Sequence, residues 1–70
     1  MSLLEAPKNQ SVVVQEIEGT CKQRLMNLGI FKGTKLVVMG SAPLGDPLIV
    51  EVSDFKIAIR KADARNIIVA

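Results

Sequence analysis

Histidine, tryptophan and tyrosine are absent from this 70-residue sequence, and cysteine occurs once. Without histidine the chain lacks the side chain that most often moves protons near neutral pH. No Gly-x-x-x-x-Gly-Lys loop is present to cradle phosphates. The sequence therefore nominates no catalytic residue, and a non-enzymatic protein is expected. Phe31 and Phe55 are the only aromatics, too few for the stacking platforms that hold single-stranded nucleic acid or the grooves that hold Pro-rich peptides. Nine Lys and Arg against seven Asp and Glu leave a net charge of only +2, so no nucleic-acid partner is expected. Cys21 alone cannot close an internal disulfide, whereas small secreted domains are usually stapled by several, and a cytoplasmic location follows as the expectation. The start Met1-Ser2-Leu3-Leu4-Glu5 lacks the basic and apolar regions of a secretory signal. No apolar run approaches the roughly 20 residues of a spanning helix, so no membrane insertion is expected.

What remains is a chain that is 49% hydrophobic and 23% charged, apolar enough to fold alone as one small domain over residues 1–70. Residues 1–10 form a polar lead-in ending in Pro7-Lys8-Asn9-Gln10. Ser11-Val12-Val13-Val14-Gln15-Glu16-Ile17 is β-branched and partly alternating, which predicts a strand closed by Gly19. Thr20-Cys21-Lys22-Gln23 has the spacing of a capping box. Cys21, Leu25 and Leu28 then follow at helical intervals, predicting about two helical turns, with Leu25 and Leu28 plugging one end of the core. Gly29 suits the left-handed residue that closes a helix, and Ile30 is placed to fold back on the last turn. A second strand is predicted over Lys35–Met39, and Gly40 to Pro47 is expected to be a loop. Leu48, Val50 and Val52 share one face of a third strand. Phe55, Ile57 and Ile59 share one face of a fourth, joined to the third by a tight turn at Ser53-Asp54. A short helical turn over Lys61–Arg65 and a closing strand Ile67-Ile68-Val69 complete a mostly β chain of about five strands with one or two short helices. Such strands are best closed as a small SH3-like β-barrel, with an OB-type barrel as the alternative left by pattern alone.

The order Leu25-x-x-Leu28-Gly29-Ile30, Gly33-Thr34, Ala42-Pro43-Leu44-Gly45-Asp46-Pro47 and Ile57-Ala58-Ile59-Arg60-Lys61-x-Asp63-Ala64 resembles the family of ferrous iron transport protein A. The resemblance spans residues 11–70. It differs at Lys32, where a proline is common, and at Asp63, where the acidic residue is often Glu. The resemblance implies an SH3-like barrel in the bacterial cytoplasm. It also implies an accessory or regulatory role in ferrous iron uptake, through protein contact with the cytoplasmic, GTP-binding part of membrane transporter B. The module is also similar to the C-terminal domain of iron- and manganese-dependent repressors, so a metal-responsive regulatory domain that binds a transition metal ion is the alternative. Those repressors carry a helix-turn-helix region for which this chain has no room.

Candidate contact residues follow from local chemistry. Pro43 and Pro47 fix their own φ and restrict their neighbours, and Gly45 tolerates positive φ, so the segment is a preorganised loop. Such a loop connects two strands, and it also presents Pro43, Leu44, Gly45 and Asp46 to a partner at low entropic cost. Met26 stands about 100° around the helix from Leu25 and offers a polarisable, adaptable contact. Arg60 and Lys61, with Arg65, form a basic group suited either to solvent or to an acidic patch on a partner. Cys21 fits the role of a small buried hydrophobe. Asp46, Glu51, Asp54 and Asp63 have no spacing that demands convergence, so no metal ligand and no cofactor is assigned. A homo-oligomer built on a short exposed strand edge is as open as a heteromeric contact.

Overall fold

The computed structural model describes residues 1–70, in five strands and three short helices. In chain order these are a 3-10 helix Leu3–Glu5, β1 Ser11–Ile17, α1 Lys22–Asn27, β2 Lys35–Ser41, β3 Leu48–Val52, β4 Phe55–Ile59, α2 Lys61–Ala64 and β5 Ile67–Val69. All strand pairs are antiparallel, in the order β4-β3-β2-β1-β5.

β1 coincides with its predicted span. Val12 and Val14 face inward at alternate positions, but Ile17 does too, which strict alternation forbids. A register shift between Val14 and Glu16 against β5 absorbs the extra residue and keeps Glu16 in solvent. β3 alternates cleanly, with Leu48, Val50 and Val52 buried, and pairs residue by residue with β4 across the two-residue turn at Ser53-Asp54. Ser53 adopts φ +55, the sign that a primed hairpin turn requires. The sixteen buried residues are all apolar, and they form one cluster.

Four local expectations are corrected. The capping box at Thr20–Gln23 does not form: α1 begins at Lys22, with Cys21 as its cap and no side-chain cap bond. A capping box instead opens the chain, where Ser2 Oγ accepts from Leu4 N (3.1 Å) and Ser2 N donates to Glu5 Oε1 (3.0 Å). Its signal was present as Ser2-x-x-Glu5. The lead-in is accordingly more than polar, because the helical turn drives Leu3 to 1% exposure in the core. The loop after β2 is shorter than expected, since Gly40 and Ser41 pair with Ile49 and Leu48 past a register shift.

The fourth correction concerns Leu28, which is 46% exposed while Leu25 is buried. The predicted Schellman ending explains this. Gly29 takes φ +92, its N–H donates to Met26 O (3.0 Å), and Ile30 N–H donates to Leu25 O (2.9 Å). The reversal drops Ile30 into the core beside Leu25, filling the place expected for Leu28, which is left on the outer side.

Candidate functional site

The loop joining β2 and β3 is held from three sides. At its base Ala42 N–H donates to Pro47 O (3.0 Å), and within it Gly45 N–H donates to Ala42 O (2.7 Å), closing a turn with Pro43 at the second position. Gly45 has φ +89, as its neighbours required. The third tie is distant in sequence. Asp46 Oδ1 accepts from Lys61 N–H at 3.0 Å, at the first residue of α2. Arg60, in the cap position, supplies no side-chain cap of its own. Asp46 therefore satisfies one of the orphan donors at the start of α2 from another part of the fold.

The same contact brings Lys61 over the loop. A Cβ added at Gly45 would lie 3.3 Å from Lys61 Nζ, so the glycine is set both by its dihedral and by the lysine above it. Gly45, Asp46 and Lys61 are thus brought together, with Pro43 and Leu44 in the same loop, while Arg60 lines a cleft with Arg24, Leu28 and Asp63. At the tip of the loop Leu44 is 97% exposed, one residue before the glycine that Lys61 Nζ overlies. Asp46 has a role the sequence did not disclose, because a bond spanning fifteen residues leaves no local pattern.

Met26 is 42% exposed and lies on α1, with no side-chain bond to this loop. α1 is linked to α2 by Arg24 Nη2 and Asp63 Oδ1 at 2.6 Å. Sequence reasoning missed a second apolar surface, where Leu28 and Phe55 are 46% and 73% exposed beside a cleft also lined by Asn27, Val52 and Ile57. Phe55 shares its face with Ile57 and the buried Ile59, so alternation pointed it inward. The face leaves the core before the strand reaches its turn, and pattern carries no record of that.

Asp46 and Asp63 are engaged with separate partners, and no three acidic, His or Cys side chains gather in a group able to hold a metal ion. Cys21 is buried, its Sγ 3.7 Å from Glu18 O. No helix is long and apolar enough to cross a membrane.

Comparison with known proteins bears on this surface. Residues 1–70 match the family described as FeoA domain. The chain is 32% identical over 60 residues to an Fe(2+) transport protein A/Fe(2+) transporter FeoB fusion protein of Porphyromonas gingivalis, a match covering 84% of this chain and 7% of that protein. The FeoA protein of Chlorobium tepidum superposes with a TM-score of 0.89 at 34% identity, over 99% of this chain and 68% of that one. The FeoA-like protein of Clostridium acetobutylicum gives 0.89 at 30% identity, over 100% and 84%. Stenotrophomonas maltophilia FeoA complexed with zinc, described as an SH3 domain protein, gives 0.82 at 30% identity, over 100% and 89%. The five-stranded sheet is thus SH3-like, and the OB-type alternative falls away.

Proposed function

The chain belongs to the FeoA domain family, and we propose that it is a non-enzymatic accessory module of ferrous iron transport that docks on the cytoplasmic, GTP-binding part of transporter B. Ferrous iron is the transporter's cargo in this reading, and the module acts by protein contact. The fusion protein of Porphyromonas gingivalis supports the pairing, since it joins a similar domain and FeoB in one polypeptide. A linker makes such an encounter intramolecular, so little contact affinity is needed.

The observation that carries the proposal is Leu44, 97% exposed on a loop pinned by Pro43 and by the Asp46 bond to Lys61. A rigid loop loses little ordering entropy on binding, and burying one leucine side chain is worth about 1.5–3 kcal/mol. Lys61, which overlies the same loop, favours an acidic rim on the partner, which raises the association rate more than the affinity.

The test is titration of this protein into the isolated cytoplasmic part of the transporter. Leu44→Lys leaves the thermal midpoint unchanged, because no core contact is lost, and weakens binding about tenfold or more, the equivalent of about 1.4 kcal/mol. Equal affinities for the two proteins would overturn the assignment of this loop.

A further inference from the structure

The two outer strands of the sheet are finished differently. On β5, Val69 N–H donates to Met1 O (2.7 Å) and Ser2 bridges Ile68, so the N-terminal residues cover its outer edge. β4 pairs with β3 and with nothing else. Phe55 and Val52 flank a two-residue turn, which makes them a hydrogen-bonded pair. By alternation, Lys56 and Ala58 then turn their N–H and C=O groups away from β3. An open edge of this kind is a template for a further strand.

We propose that this edge joins two copies of the chain, β4 pairing antiparallel with β4 about a two-fold axis through Ile57. The side chains select both the occupant and the register. With Ile57 opposite Ile57, Lys56 faces Ala58, and beyond the strand ends Asp54 in the turn comes towards Arg60 at the start of α2, each twice by symmetry. The two Lys56–Ala58 pairs supply four backbone hydrogen bonds. Centring on Lys56 sets lysine against lysine, and centring on Ala58 sets Lys56 against Arg60. Like charges directly opposite destabilise a ladder, and opposite charges support it. Centring on Phe55 also sets Asp54 against Lys56, but it carries each copy past its turn after three residues, so the Ile57 register is the one that joins opposite charges while pairing all five residues of β4.

Within one chain Asp54 and Arg60 stand just outside the two ends of β4, and neither makes a salt bridge in the fold, where Arg24–Asp63 is the single ion pair. Both side chains are exposed and free for a second copy. On the opposite face Phe55, 73% exposed, comes to the Ile59 end of the other copy's strand, where Ile59 itself is buried and the cleft lined by Leu28 and Ala58 lies alongside. Lysine on an edge ordinarily guards against pairing, but here its counterpart is the small Ala58.

Sedimentation equilibrium over a range of concentrations tests this with wild type, Asp54→Arg and Arg60→Asp. Wild type dimerises reversibly, and each variant, folded by circular dichroism, raises the dimer dissociation constant about tenfold or more. An equimolar mixture of the two variants recovers dimer, because each chain then presents the charge that the other lacks. A wild type that stays monomeric at millimolar concentration, variants that dimerise as wild type does, or a mixture that fails to recover would each overturn the proposal. So would loss of transporter binding on Asp54→Arg, a position away from the Leu44 loop, in a protein that is monomeric, which would give the edge to a different chain. The Leu44→Lys titration is independent of these results.

Discussion

Asp46 shows how one side chain serves both loop and helix. Its carboxylate bonds Lys61 N–H, so it fixes the loop that carries Leu44 and completes the start of α2. Loss of an N-terminal capping acceptor typically costs about 0.5–2 kcal/mol. Asp46→Ala is expected to lower stability in urea unfolding by about 1 kcal/mol, whereas Asp46→Asn keeps an acceptor oxygen and loses less. Equal stability of Asp46→Ala and wild type would show that the bond does not hold the loop. Leu44 needs no such support for folding, because it touches solvent almost completely. The positive φ at Gly45 was legible in the glycine alone. The anchor at Lys61 was not, because it depends on where α2 lands.

Among the elements, α1 carries the clearest division between core and surface. Leu25 and Leu28 are three residues apart and chemically identical, yet one is buried and the other half exposed. Large-to-small substitution in a core costs about 2–5 kcal/mol for leucine, while exposed positions change stability by about 0.5 kcal/mol. Leu25→Ala is therefore expected to lower the melting midpoint strongly and Leu28→Ala hardly at all. Comparable losses would mean that the reversal at Gly29 does not displace Leu28 from the core. The closing glycine and Ile30 were predictable because a Schellman ending is local, with all its bonds inside six residues. The side of the helix left uncovered was not, since a six-residue helix is too short for its own periodicity to define a face.

At the scale of the whole molecule, the N-terminal residues complete the core and cover the edge of β5. Leu3, 1% exposed, is as deeply placed as any strand residue, and Leu3→Ala is expected to cost about 2–5 kcal/mol, measured by chemical unfolding. A loss below about 0.5 kcal/mol would return residues 1–10 to the status of a lead-in. That covering leaves β4 as the free edge, which gives the molecule one end finished by its own chain and one open to another. The strands, their alternation, the closing turn of α1 and the stiffness of the Ala42–Pro47 loop were determined by the sequence itself. Each depends on neighbours a few residues away, through dihedral preference, side-chain alternation and short hydrogen bonds. The burial of Leu3, the exposure of Leu28 and Phe55, the capping of α2 by Asp46 and the open outer edge of β4 were decided only by the tertiary structure. Each depends on which distant segment comes to lie alongside, and that follows from the packing of the whole core.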